Sequence, residues 1–121
     1  MVKALFDTNI LIDYLNGRDE ARVELARYDA KAISVITWMD VMVGAASAVS
    51  ERTRDYLSDF DIIAIDQSVA EQAVKIRKAE KIRLPDAIIW ASAEVDNLIL
   101  VPRNSKASRE THPGIRIPYR L

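Results

Sequence analysis

Three short apolar runs, at residues 2–6, 61–65 and 98–101, are separated by longer segments whose apolar side chains recur at helical spacing. A run this short cannot be a core helix, and it does not alternate with polar residues. It reads as a strand buried on both faces, the pattern of a parallel sheet covered by helices. A fourth and weaker strand is expected over 31–34. A fifth and shorter one is expected at the edge over 115–117. The expected fold is therefore α/β: a three-layer α/β/α sandwich around a central, mainly parallel sheet of four to five strands, built as one domain over 1–121.

The helices between the runs carry their own start and stop signals. Ile10, Leu11, Tyr14 and Leu15 follow Asp7-Thr8-Asn9 at helical spacing, and Asn16-Gly17 ends that helix. Residues 19–29, with Ala21, Val23, Leu25, Ala26 and Tyr28 among charges, read as an exposed amphipathic helix. Ser34 is placed to cap a helix that runs to Gly44. That helix is so apolar that it should be buried or lie at an interface, with Trp38, Met39 and Met42 in the core or a dimer contact. Residues 50–58 form another helix, with Tyr56 and Leu57 inward. Asp66 to Ser68 opens the next, with Val69, Ala70, Ala73, Val74 and Ile76 inward. Leu84-Pro85-Asp86 opens the last, since proline fits a first helical turn. The run at 61–65 is expected to be a buried strand, and His112 to be solvated in a polar loop.

Composition narrows the chemistry. The absence of cysteine removes disulfides and thiolate metal sites. The one histidine, His112, leaves little support for a histidine-rich zinc site or a Ser-His-Asp triad. A metal would have to be held by oxygen, which favours Mg²⁺ or Mn²⁺. No apolar run approaches the ~20 residues of a membrane span. The start of the chain lacks the basic head and cleavage site of a signal peptide, so residence in the cytoplasm is expected. A net charge of −1 gives no global sign of nucleic-acid binding. Lys75, Arg77, Lys78, Lys81 and Arg83 nevertheless form one basic stretch. It reads equally as a solvated helix end or as a phosphate-contacting surface.

Four polar residues interrupt the apolar elements: Asp7, Asp40, Asp86 and Asn104. Asp7 and Asn104 each follow a buried strand, and parallel strands put their carboxyl ends on one edge, where ligand crevices form in open α/β sheets. Asp86 stands near the positive end of its helix, where a carboxylate is stabilised. Asp40 lies in an apolar helix, either on its exposed stripe or facing a polar cleft. Asp7 or Thr8 is equally a helix cap. Carboxylates gathered together repel unless something neutralises them, and a divalent cation does so. Such an ion can activate water and clamp a phosphoryl oxygen, the chemistry of phosphodiester hydrolysis.

The chain resembles PIN-domain proteins, and among them the small VapC-type toxins of bacterial toxin–antitoxin modules. The matching stretches are Leu5-Phe-Asp-Thr-Asn-Ile-Leu-Ile-Asp13, Ser34-Val-Ile-Thr-Trp-Met-Asp-Val-Met-Val-Gly44, Leu84-Pro-Asp-Ala-Ile-Ile-Trp-Ala-Ser-Ala93, Leu100-Val-Pro-Arg-Asn-Ser-Lys106 and Pro113-Gly-Ile-Arg-Ile-Pro-Tyr119. The likeness spans essentially the whole chain, in order. It implies the toxin of a type II module: a Mg²⁺-dependent endoribonuclease that cleaves RNA by metal-activated water. It also implies a homodimer and a cognate antitoxin whose tail lies over the cleft. By motif match, Asp7 and Asp86 are metal carboxylates and Asp40 joins them. Asn104 takes the polar position of the last motif, and Thr8 and Asn9 support the site through hydrogen bonds.

Three positions depart from the pattern. Position 40, usually Glu, is Asp40. The Thr usual before the Arg-Asn pair is Pro102. Ala107 and Ser108 stand where the family commonly has Asp and Phe, with Glu110 as a conceivable substitute. These changes motivate an alternative: a degenerate toxin that binds its antitoxin but cuts weakly or not at all. A further alternative is a metal-free α/β binding module in which Asp7 and Asp86 are only caps. Metal dependence of thermal stability separates it from the other two.

Overall fold

Ala4, Leu5 and Phe6 are wholly buried, as expected of a strand covered on both faces. They belong to β1 (Lys3–Phe6), one of the two inner strands of a four-stranded sheet with β2 (Ala30–Ser34), β3 (Asp61–Ile63) and β4 (Ile99–Val101). All pairings are parallel and the strand order is β3-β2-β1-β4. A computed structural model describes residues 3–103 and 112–119.

The helices follow the strands in the expected sequence: α1 (Thr8–Leu15) and α2 (Asp19–Ala26), α3 (Val35–Gly44) and α4 (Ser50–Leu57), then α5 (Gln67–Glu80) and α6 (Leu84–Val95). A single 3₁₀ turn, Ser47–Val49, precedes α4. Successive strand side chains point to opposite faces, and the core divides accordingly. Leu5, Ala32 and Leu100 meet Val69, Ala73, Ile76 and Trp90 of α5 and α6. Phe6, Ile33 and Val101 meet Ile10, Leu11, Leu25, Val41 and Leu57 on the opposite face. The result is an α/β/α sandwich. Truncating a side chain as fully buried as Leu5 to alanine should cost ~2–5 kcal/mol.

Local chemistry sets the helix boundaries. Asp7, Ser34 and Asp66 each cap the helix they precede, accepting from the amides of Asn9, Ile36 and Val69 at 2.7, 3.2 and 2.9 Å. Pro85 lies in the first turn of α6. Gly17 has φ +83°, which lets the chain reverse after α1 at little steric cost.

Four expectations need correction. Residues 61–65 do not make a buried strand: β3 occupies the sheet edge, so Ile62 and Ile65 are exposed. Val74 faces solvent because the inward stripe of α5 runs through Val69, Ala73 and Ile76. The stretch 115–117 contributes one parallel bridge, Ile115 to Leu100, and no full strand. His112 is half-buried rather than solvated. Its Nδ1 accepts from the Gly114 amide at 3.0 Å, and its ring packs edge-on against Trp90.

Among the described residues, no helix is long and apolar enough to cross a membrane.

Candidate active-site edge

Asp7 is the first residue after β1 and only 8% exposed. One carboxylate oxygen caps α1, and its backbone N–H donates to the Val101 carbonyl at 3.2 Å. The exits of β1 and β4 are thereby joined, with Phe6 opposite Val101 in the sheet register. Asp7 thus caps α1 and stands at the carboxyl edge of the sheet. Beside it, the Thr8 hydroxyl donates to the Thr37 hydroxyl at 3.1 Å and ties the start of α1 to α3.

Asp86 comes to the same edge from another direction. Helix α6 packs on the sheet and returns to β4, so its first turn lies at the carboxyl ends of the strands. The Asp86 side chain is 36% exposed, and Arg83 approaches it with Nε at 3.4 Å. Arg83 continues into the exposed cations Lys75, Arg77, Lys78 and Lys81.

Asp40 is exposed, one turn beyond Thr37 on α3. It stands on the wall of a groove of about 490 Å³, together with Ile12, Leu15, Val49, Arg52 and Tyr56. Tyr14 both lines this groove and stacks on Tyr56, with ring centroids 4.8 Å apart. Burial, and then the neighbouring Tyr14, raise the Tyr56 hydroxyl above the ordinary phenolic range. Asn104 lies outside the described residues. Helix α3 is not largely buried: only Thr37 and Val41 are, while Met39 and Val43 face outward.

Among the described residues, no group of three or more His, Asp or Glu side chains is gathered closely enough to hold a metal ion. The donor chemistry still fits a hard cation. Asp7 and Asp86 offer carboxylate oxygens, and Mg²⁺ typically takes only one or two carboxylates and keeps several waters.

Two other carboxylates are more deeply buried and were not singled out from the sequence. Asp13 of α1 receives Arg103 at 3.0 Å and the Tyr119 hydroxyl at 2.8 Å. Glu24 of α2 receives Arg116 twice, at 2.7 and 3.0 Å, and the Tyr28 hydroxyl at 3.0 Å. Burial alone would raise the Glu24 pKa, but the Arg116 and Tyr28 hydrogen bonds, together with the positive charges of Arg116 and Arg27, outweigh it and hold it below the ordinary carboxylate value. Burial, followed by the bond to Asp13, pushes the Tyr119 hydroxyl up. The available signal was positional. Asp13 and Glu24 sit on the inward stripes set by Ile10 and Ala21, and an inward charge demands a partner.

Comparison with known proteins gives the family. A PIN domain profile matches residues 4–110. No curated protein matches the chain. A toxin–antitoxin complex from Klebsiella pneumoniae contains a chain 49% identical, covering 98% of this chain and 99% of that one, with a TM-score of 0.91. The DNA-bound VapBC of Salmonella typhimurium is 27% identical, covers 98% of both chains and has a TM-score of 0.74. VapBC-5 of Mycobacterium tuberculosis, at 20% identity over the full length of both chains, shares the fold with a TM-score of 0.64. With its parallel sheet, its helix-capping Asp7 at the β1 exit and a profile match over most of its length, the chain belongs to the PIN-domain family and is of the VapC type.

Proposed function

We propose that the chain is the toxin of a type II toxin–antitoxin module and a Mg²⁺-dependent endoribonuclease. The observation that carries this reading is Asp7: a buried carboxylate at the carboxyl end of an inner parallel strand, hydrogen-bonded into the exit of its neighbour. The relatives found in toxin–antitoxin complexes support the biological setting.

Asp7 and Asp86 would hold the cation, with Asp40 as a third, more exposed carboxylate and Asn104 as a polar neighbour. When bound, the ion supplies charge neutralisation and a lowered pKa for water; Mn²⁺ has the same ligand preference. The chain's own groups do the rest. The Thr8–Thr37 bond fixes the start of α1. Arg83 and the exposed lysines of α5 lie where they would hold phosphates of an RNA strand. Ile12, Leu15 and Val49 leave an apolar groove beside Asp40, suited to an amphipathic antitoxin segment that would cover that carboxylate. Met39 and Val43, one turn apart on α3, offer an apolar face for a second copy. Cytoplasmic residence accompanies an RNA substrate and a protein antitoxin.

A second reading is favoured by the lack of a three-carboxylate group among the described residues and by the short, exposed Asp40. In it, the protein binds its antitoxin but cuts weakly. One experiment separates the readings: incubation of antitoxin-free protein with an RNA pool in Mg²⁺, Mn²⁺ or chelator, beside Asp7→Asn. Discrete metal-dependent cuts that vanish in the variant are expected. Absent cuts, with ion-dependent stabilisation of ~2.7 kcal/mol at 100 Kd, would indicate a disabled toxin. Neither cuts nor stabilisation would leave a metal-free binding module.

A further inference from the structure

We propose that Asp13 is a positioning residue, one that holds the exit of β4 against α1 and so fixes the place of Asp7. Asp13 is 5% exposed and ties together three distant parts of the chain: its own helix, Arg103 just beyond β4, and Tyr119 near the C-terminal end. The path closes into a ring. Asp7 caps α1 with its side chain, α1 carries Asp13, Asp13 holds Arg103, Arg103 continues from Val101, and Val101 accepts the Asp7 N–H. Breaking the ring at Asp13 removes one of the links between the β1 and β4 exits, beside the Asp7 amide bond and the strand pairing.

Stability is a weak reason to build such a junction. A buried ion pair recovers little more than its desolvation cost, and apolar residues of the same volume often do as well. What a charged, bidirectional clamp adds is a fixed position. The molecule carries its own control. Glu24 clamps the same C-terminal segment through Arg116 with the same residue types, but its ring does not include Asp7. That segment is also secured independently by the backbone bonds from Leu100 to Gly114 and from Arg116 to Leu100, both 2.8 Å.

The inference rests on the reading of Asp7 as a cation-holding carboxylate, but one of its measurements does not. Asp13→Asn, Asp13→Glu and Glu24→Gln are compared in the full chain by three readouts: amide exchange at Asp7 by NMR, Mn²⁺ affinity by calorimetry, and kcat and KM on RNA. Asp13→Asn should speed exchange of the Asp7 amide by about tenfold or more, weaken Mn²⁺ about 10–100-fold, as loss of an orienting partner does, and lower kcat with KM little changed. Asp13→Glu should restore part of each. Glu24→Gln should lower the melting temperature yet leave the Asp7 amide and the Mn²⁺ affinity within about twofold. Should Asp13→Asn fail to fold, Tyr119→Phe, which removes one hydroxyl, carries the same test with smaller shifts. Equal exchange at Asp7 in Asp13→Asn and Glu24→Gln would overturn the proposal. If the wild-type protein neither binds Mn²⁺ nor cuts RNA, the cation reading fails, and the exchange comparison still decides the role of Asp13.

Discussion

Asp13 and Glu24 lie at 5% and 3% exposure, and each receives an arginine and a tyrosine. Asp40, just past the middle of α3, is exposed, and Asp86, in the first turn of α6, is partly exposed and pairs among the described residues with the exposed Arg83 at 3.4 Å. The carboxylate group thus occurs in two environments. Inside the clasp, the neutralising cation is supplied by the chain and cannot leave. At the start of α6 the cation beside Asp86 is itself exposed to solvent, and under the proposed function that carboxylate serves an ion from outside. Asp7 lies between the two groups: it is as buried as the clasp residues but points its capping oxygen at a backbone amide.

The largest expected effect tests on which side Asp7 falls. Asparagine caps a helix about as well as aspartate, so Asp7→Asn should unfold at nearly the same urea concentration. Its single-turnover RNA cleavage should fall by about 10³-fold, the equivalent of ~4 kcal/mol of transition-state stabilisation. A large loss of stability with little loss of cleavage would move Asp7 into the clasp set and break the contrast.

Glu24→Gln probes the other side. It strands Arg116 beside a neutral amide and should cost about 2 kcal/mol in urea denaturation. This is less than the ~3–5 kcal/mol of a fully buried pair, because the Arg116 side chain is 40% exposed. Cleavage per folded molecule should stay within about twofold.

The pH dependence sharpens the same point. Glu24 is held below its ordinary value of 4.5 in the folded chain, so the unfolded chain takes up its proton first. Its contribution is complete above 4.5 and is lost as pH falls through the lower folded value. Acid titration of stability should therefore be steeper below pH 4.5 in the wild type than in Glu24→Gln, followed by circular dichroism.

The apolar surface offers a parallel contrast. Val43 is 87% exposed. Val43→Glu should dissociate a homodimer in sedimentation analysis while changing core stability by less than ~0.5 kcal/mol. The smallest effect is expected at the basic stretch. Lys78→Glu should weaken RNA binding a few-fold and reduce the salt slope by about 0.7 if Lys78 contacts one phosphate of a single strand.

Much of the fold was legible because its signals are local. The apolar runs, the helix starts at 7–8, at Ser34 and at 66–68, Pro85 in the first turn of α6 and the stop at Gly17 each act within a turn or two of chain, and the structure has strands and helices beginning and ending there. The alternation of strand and helix dictates parallel pairing, and with it the edge at which Asp7 and Asp86 emerge. Strand order is not local. Nothing in the run at 61–65 says that β3 closes the sheet, so its burial was misjudged. Nor does sequence spacing say that Asp13 meets Arg103 or that Glu24 meets Arg116, 90 and 92 residues away. Those pairs exist because β4 lies beside β1, which brings the chain beyond β4 across the helices that follow β1. Periodicity and capping are written residue by residue. Which buried charge finds which partner is decided only when the strands are in order, because burial makes a charge need a partner while the fold determines which one is within 3 Å.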